Sequence, residues 1–372
     1  MNVLMHCAYF PPEVGGLESH VYYLCRAMAE QGHRVSMVTS LSRPGLPAHE
    51  RMDGVDVWRT WMPSRDTLGW AAFGLASIPR FRQLAANADV LHAQDIASVP
   101  AAMAARGVRG APMVTTYHTS HFLKRAASPV WRPVFRRFLQ AADHNLAASK
   151  QIAEVGEAIA PGVRVEPLTN GVETSFFRRV EPSLPALEGG RRRLVVPRRL
   201  FEKNGVEYFV RALPLIAGRV DVEAVLVGDG PERGKLEALA TGLGVTDRIR
   251  FLGARPHGEM PALLSSAELA VFPSLMEATS VAALECMACE LPVAASDVGG
   301  LPEIVDDAVG GLFRPADPED LARVVVALLG RPDLAVLGAE ARRRVVERWS
   351  NARLAARHLE IYEDVIRRRR SR

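Results

Sequence analysis

Long apolar runs are absent from this chain. No stretch of about eighteen consecutive apolar residues occurs, which excludes a membrane-spanning helix. Cysteine is scarce: Cys7, Cys25, Cys286 and Cys289 are too few to frame a fold of 372 residues with disulfides. The opening MNVLMHCAYFPPEVGG lacks a basic segment followed by a long apolar one, so no export signal is read and the cytoplasm is the expected location. Charge of one sign is also in short supply, the net being +4 with the surplus in short clusters such as Arg191 to Arg193 and the closing RRRRSR. Such runs read as solvated ends, and no nucleic-acid partner is expected. What remains is an ordinary soluble composition, 48% apolar and 24% charged, in a chain long enough for two domains.

Two kinds of segment alternate along the first third. NVLMHC, RVSMVT, VDVWRT, DVLHAQ and PMVTTYH are short and rich in Val, Met and Thr, as strands buried on both faces require. Between them lie helical patterns, the clearest being GGLESHVYYLCRAMAEQG, with Leu17, Val21, Leu24 and Met28 on one face and Gly32 as a stop. The alternation restarts with RLVVPRRL, DVEAVLVGDGP, RIRFLGA, ELAVFPS and LPVAAS, and with helices from Val206, Arg233, Met260, Val281 and Pro318. Strands alternating with helices imply right-handed crossovers and parallel sheets. The expected organisation is therefore two tandem doubly wound α/β domains: residues 1–177, a proline- and glycine-rich linker over 178–191, residues 192–349, and a C-terminal helix over 350–372 returning to the first domain. In such sheets ligands meet the loops that follow the strands. That rule selects Pro11 to Gly16, Thr116 to His121, Arg198 to Gly205, Gly228 to Pro231, Ala254 to Gly258 and Pro273 to Ser280.

Within those loops several residues invite chemistry. Gly15 and Gly16 open a helix, where a close backbone approach and free N–H groups suit an anion; a plain glycine turn is the alternative. VGDGPERGK is neither a phosphate-binding P-loop nor a dinucleotide fingerprint, because its glycines are misplaced by one and Leu236 follows Lys235. Gly228 then reads as part of a tight strand-to-helix turn. Cys286 and Cys289 have redox or metal spacing, but they sit among Ala and Met on a helix and read as core. His118 ends a strand and points at the ligand side. Arg198, Arg199 and Lys203 offer cations for a diphosphate. Most unusual is Glu285, a carboxylate inside the apolar run VAALECMAC, eight residues after Glu277. A buried carboxylate needs an internal partner or an arriving ligand.

Taken in order, GGLE, PLTNGVETSFF, RRLFEKNG, LVGDGP and the Glu277–Glu285 pair ahead of MACELPVAASDVGGLPEIV resemble a retaining glycosyltransferase of family 4. The resemblance covers nearly the whole chain. It implies the GT-B fold, two Rossmann-like domains facing across a cleft that closes about the linker. It implies that Glu285 binds the ribose of a nucleotide sugar, that Glu277 contacts the donor sugar, and that Thr279, Ser280 and Val281 present N–H groups to the diphosphate. Arginine and lysine of RRLFEKNG would neutralise the leaving diphosphate; spacing from Lys203 selects Arg198, whereas alignment through Leu200 and Gly205 selects Arg199. Gly16 would face the phosphates with Gly15 beside it, Gly228 and Arg255 would border the nucleotide, and His118 would lie near the reacting sugar. Ala278-Thr279-Ser280 replaces the common Gly-Phe-Gly, and Glu290 stands where a glycine usually ends the helix.

The implied activity is transfer of a hexose, from a UDP- or GDP-linked donor, to an acceptor hydroxyl with retention, in cell-envelope polysaccharide or glycolipid synthesis. No Asp-x-Asp element follows a strand, so no metal and no cofactor beyond the donor is expected. A sugar-nucleotide epimerase and a nucleotide-sugar-binding protein without transfer are the alternatives. The acceptor class stays open among saccharides, lipid-linked saccharides and small molecules. HFLKRAASPVWRPVFRRFLQ, with four aromatics and five basic residues, fits either peripheral contact with an anionic membrane or a core helix with a wet side.

Overall fold

The computed structural model describes every residue except Val14, Thr119 and Arg372. Val14 and Thr119 fall within two of the loops expected to meet a ligand, so those two positions lie outside the described residues. The chain divides into two compact units, Met1–Asn170 with Asn351–Arg372, and Gly171–Ser350.

The first unit is built on eight strands: β1 (Asn2–Cys7), β2 (Arg34–Ser40), β3 (His49–Met52), β4 (Val55–Thr60), β5 (Val90–Gln94), β6 (Met113–Tyr117), β7 (His144–Ala147) and β8 (Val165–Pro167). Their order is β3-β4-β2-β1-β5-β6-β7-β8, parallel throughout except for β3, which runs antiparallel to β4. Every residue of β5 and β6 is buried, including the polar His92, Gln94, Thr115 and Thr116, so neither strand shows the in–out alternation of a half-exposed one. Sequence periodicity missed β3, β7 and β8. β3 is the polar HERM, yet its hairpin carried a signal in Asp53-Gly54, both at positive φ (45° and 82°), the dipeptide that favours a tight hairpin turn.

The second unit holds β9 (Arg192–Val196), β10 (Val222–Val227), β11 (Ile249–Gly253), β12 (Leu269–Phe272), β13 (Val293–Ser296) and β14 (Gly310–Phe313). The order is β11-β10-β9-β12-β13-β14, all parallel. Strand order reverses between β9 and β12, so the loops after these two strands flank the point where open α/β sheets bind ligands. Cys286 and Cys289 are unpaired and buried in this unit's core.

One expectation needs correction. The predicted linker 178–191 is part of the second unit, not a free connection. Val180 and Leu184 donate backbone N–H groups to the hydroxyls of Ser265 and Ser266 (3.0 Å each), and Pro185 accepts from Arg193 at 2.9 Å. Two serines just past the helix Met260–Leu264 thus supply the partners that this Pro-rich strip lacks in itself. The chain instead passes between units at 170/171 and 350/351. The aromatic-basic segment has a core side and a wet side: Phe122 and Phe135 are fully buried, their rings stacked 5.0 Å apart, while Arg132, Arg136 and Arg137 of the helix Arg132–Ala141 face out.

The helix Asn351–Arg370 packs in the first unit, burying Leu354, Leu359 and Tyr362 against the core that includes β1. Among the described residues no helix is long and apolar enough to cross a membrane.

Glu290 terminates the helix Val281–Ala288 at φ 63°, the left-handed region that costs a non-glycine about 1–2 kcal/mol. Glu290→Gly should remove that strain and give back about 0.4–1 kcal/mol through the unfolded chain. The expected net is a rise in Tm of about 1–4 °C, read by thermal unfolding; no rise would mean the bend is relaxed by its surroundings.

Candidate functional site

In the second unit, the loops after β9 and β12 are knitted together. Arg198, two residues beyond the end of β9, is nearly buried. Its Nη2 donates to Glu277 Oε2 at 2.5 Å, to Asn204 Oδ1 at 2.7 Å and to Ser274 Oγ at 2.9 Å. Asn204 in turn closes its own loop by donating to the Arg199 carbonyl at 2.6 Å. The carbonyl of Lys203 accepts the N–H groups of Leu275 and Met276 (2.9 and 3.2 Å), and Ser296 on β13 donates to the Ser274 carbonyl at 2.6 Å. Four of the predicted residues or their backbones thus meet here: Arg198, Lys203, Glu277 and Gly228. Gly228 (φ 148°) lies so close that a Cβ would stand 2.2 Å from the Arg198 carbonyl oxygen. Its glycine is demanded by this backbone packing.

Arg199 lies outside the cluster. It is exposed, its guanidinium 5.7 Å from the ring of Phe201, so of the two arginines it is Arg198 that is tied to Glu277. Arg255 is exposed as well, its nearest carboxylate that of Glu259 at 3.9 Å.

The backbone that carries Glu277 is held by a pair of glycines whose role the sequence reading missed. A Cβ on Gly299 (φ 56°) would fall 1.6 Å from the Glu277 carbonyl oxygen, and one on Gly300 would fall 2.6 Å from that of Ala278. Downstream, Ser280 caps the helix Val281–Ala288, its Oγ accepting from Ala283 N at 3.3 Å. The Ser280 side chain is therefore spent on the helix, while the N–H groups at the helix start keep the positive end of the dipole. In these loops two buried polar atoms, Arg198 Nε and Thr279 Oγ1, are without a hydrogen-bond partner among the described residues. Native interiors rarely leave such atoms unpaired, and a ligand is one way to satisfy them.

Glu285 does have an internal partner, one that sequence reading did not single out. His257 Nε2 lies 3.4 Å from Glu285 Oε1, with the His257 ring stacked on Phe176 (centroids 5.4 Å, 13°) and edge-on to Phe177 at 5.0 Å. Burial pushes the Glu285 carboxyl up, and the His257 contact pulls it back only in part. His257 sits in the loop Ala254 to Gly258, which the strand-edge rule had selected; nothing local marked the histidine itself. Arg342 braces the same region, donating to the carbonyls of Ala288 (2.5 Å) and Phe177 (3.1 Å).

In the first unit, His118 is already held on both sides. It is buried, and both ring nitrogens are engaged, Nδ1 with Asn170 Oδ1 (2.9 Å) and Nε2 with Gln94 Oε1 (2.6 Å). Burial lowers its pKa to about 3, so it is neutral at physiological pH. The ring sits among other histidines, 5.4 Å from that of His20, and offers no unengaged nitrogen. Gly15 precedes the helix Gly16–Glu30 in an extended conformation, and the Glu18 carboxylate lies against it where a Cβ would be, 2.3 Å from Oε2. An anion entering there meets that charge first. Among the described residues no three His, Cys, Asp or Glu side chains group to hold a metal.

Comparison with known proteins places both halves. Residues 14–176 match the model described as Glycosyltransferase Family 4, and residues 191–331 match Glycosyl transferases group 1. The MMP alpha-(1->4)-mannosyltransferase of Mycolicibacterium hassiacum is 30% identical, over 95% of this chain and 96% of its own length. The N-acetyl-alpha-D-glucosaminyl L-malate synthase of Bacillus anthracis is 27% identical, over 96% of each chain. Among solved structures, Anabaena HepE in complex with UDP and glucose superposes with a TM-score of 0.77 at 18% identity, covering 98% of this chain and 100% of that one.

Proposed function

The chain belongs to glycosyltransferase family 4 and has the GT-B fold, and from that premise we propose that it moves a hexose from a nucleoside diphosphate sugar, UDP- or GDP-linked, to an acceptor hydroxyl with retention of configuration. The observation that carries the reading is the Arg198–Glu277 pair at the switch point of the second sheet, with two unsatisfied buried groups beside it. In this reading Arg198 and Lys203 stabilise charge on the departing diphosphate, and Glu277 orients the donor sugar. The hydroxyls of the donor ribose meet Glu285, and the N–H groups at Thr279 to Val281 receive phosphate oxygens. The leaving phosphate takes the acceptor proton, so the protein's work is positioning and electrostatics, without a metal. HepE is a structural relative solved with UDP, which favours the UDP donor. The acceptor is proposed to belong to cell-envelope polysaccharide or glycolipid synthesis at the inner face of the membrane.

Nucleotide release from UDP-, GDP-, ADP- and dTDP-sugars by the purified chain tests this. One donor should be turned over, and Glu285→Ala should lower kcat/KM for it roughly 10- to 150-fold, the worth of about 1.5–3 kcal/mol of charged hydrogen bonding. Donor hydroxyls favour ionised Glu285 whereas burial opposes it, so donor affinity should weaken as pH falls through that raised pKa. Absence of release from every donor would overturn the proposal.

A further inference from the structure

Loops at the carboxyl edge of the first sheet hold two arginines on one buried carboxylate, and a third arginine is linked to them through aromatic rings. Glu13, in the loop after β1, is 7% exposed. Its Oε1 accepts from Arg43 Nε (2.7 Å) and Ser42 Oγ (2.9 Å), and its Oε2 meets Arg65 Nη2 at 2.5 Å. Burial pushes the Glu13 carboxyl up, but the bonds from Arg43, Arg65 and Ser42 outweigh it and hold the pKa below the usual range. Glu13 is therefore ionised and pins both guanidiniums, whose side chains remain 54% and 53% exposed.

Aromatic rings extend the cluster. The Arg65 guanidinium lies 5.4 Å from the Tyr9 ring, and the Tyr9 hydroxyl accepts from Trp70 Nε1 at 2.8 Å. Arg125 lies 5.5 Å from both Trp70 and Trp131 and donates to Thr67 Oγ1 at 2.8 Å. Among the described residues Arg125 has no carboxylate partner. Each of the three guanidiniums spends one of its five donors on the partners named above, while the carboxylates of Glu18, near Tyr9, and Asp66, which caps the helix from Thr67, stand near the same loops as Glu13. Arg65 combines both restraints, a ring beneath it and a buried acid, while Arg43 is held by the acid and Arg125 by two rings. Guanidiniums fixed with unspent forks are built for oxyanions.

We propose that Arg43, Arg65 and Arg125 bind the oxyanion, phosphate ester or carboxylate, of the acceptor, and so set acceptor class. This rests on the transferase reading above. Two sources could deliver that group. A soluble acceptor would bring it alone. A lipid headgroup would also meet the helix Thr67–Ala76, whose outward stripe of Leu68, Ala71 and Leu75 begins beside Thr67, with Leu68 80% and Leu75 66% exposed.

The test uses the full chain and needs no donor. Glycerol 3-phosphate, L-malate and neutral glycerol are titrated by calorimetry, and phosphatidylcholine vesicles with and without phosphatidylinositol are tested by co-sedimentation. At least one anionic probe should bind saturably, glycerol should not, and Arg125→Gln and Arg65→Gln should each weaken the anionic probe at least tenfold. Arg125→Gln breaks no ion pair, so its fold is the safer of the two, and Arg125→Lys should fall between. Binding of the soluble probes marks a free acceptor; binding only of phosphatidylinositol vesicles, lost in the same variants, marks a lipid-borne one. The bound probe should also stimulate or competitively inhibit turnover of the donor found above. No anionic binding, binding indifferent to the substitutions, or binding without any effect on turnover would overturn the assignment. Failure here with nucleotide release intact leaves the transferase reading standing, whereas failed release defeats that reading by its own assay.

Discussion

Arg198→Ala should eliminate measurable transfer and lower the melting temperature together, whereas Arg199→Ala should leave both near the wild-type values. Arg198 is the cation bonded to Glu277, and it also ties in Asn204 and Ser274. Removing one partner of a buried, hydrogen-bonded ion pair strands the other charge, a loss of about 3–5 kcal/mol. Losing a preorganised donor to developing negative charge costs a further 10²- to 10³-fold in kcat, on the order of other oxyanion-stabilising groups. Arg198→Lys should restore part of the melting temperature and little of the rate, because an ammonium keeps the charge but not the planar fork. The exposed Arg199, resting near Phe201, has no such network to lose. Thermal unfolding and kcat/KM for the identified donor decide the matter. A larger loss in Arg199→Ala than in Arg198→Ala would move the phosphate role to Arg199.

Gly299→Ala is expected to be the most damaging single-methyl change in the second unit. The new Cβ would have to occupy a point 1.6 Å from the Glu277 carbonyl oxygen, on a backbone at φ 56°. The left-handed conformation alone costs about 1–2 kcal/mol, and forced repacking adds about 1–3 kcal/mol. For a domain of this size the combined effect is a fall in Tm on the order of 10 °C. Because the obstructed atom belongs to Glu277, relief of the overlap must move the Arg198–Glu277 pair, and turnover should fall more than stability accounts for at a temperature where the variant is folded. Gly244→Ala is the control: its φ of 67° carries the same conformational cost, but no atom lies within 4 Å of the added methyl. If the two variants melt alike, the close approach at Gly299 is softer than its geometry implies.

The outcome for individual residues shows why parts of the site were legible in the chain and parts were not. Glu277 and Glu285 stood out because a carboxylate in an apolar setting conflicts with burial, and such conflicts survive as sequence signals. Glu290 stood out only against the family resemblance, as a residue with a Cβ where a glycine usually ends the helix. His257 gave no such signal, since a histidine in a polar loop conflicts with nothing; only its approach to Glu285 and the rings of Phe176 and Phe177 makes it notable. Gly299 and Gly300 were visible as letters, but their reason is a pair of carbonyls twenty-two residues upstream in the chain. His118 was placed by topology alone, as a histidine ending a strand, and the side chains of Gln94 and Asn170 that engage it come from other segments and left no sign in the sequence.

Hydrophobic run length and alternation, properties of neighbouring residues, were enough to determine two doubly wound α/β domains and the chain positions of most strands, because buried parallel strands and crossover helices each impose a local pattern. They also located the loops that carry the candidate site. Which arginine joins Glu277, what meets Glu285, where the chain leaves one unit for the other, and which helix turns an apolar stripe outward were decided by the tertiary structure. Each depends on contacts between segments distant in the chain, and pair distances of that kind leave no periodic trace in a single sequence.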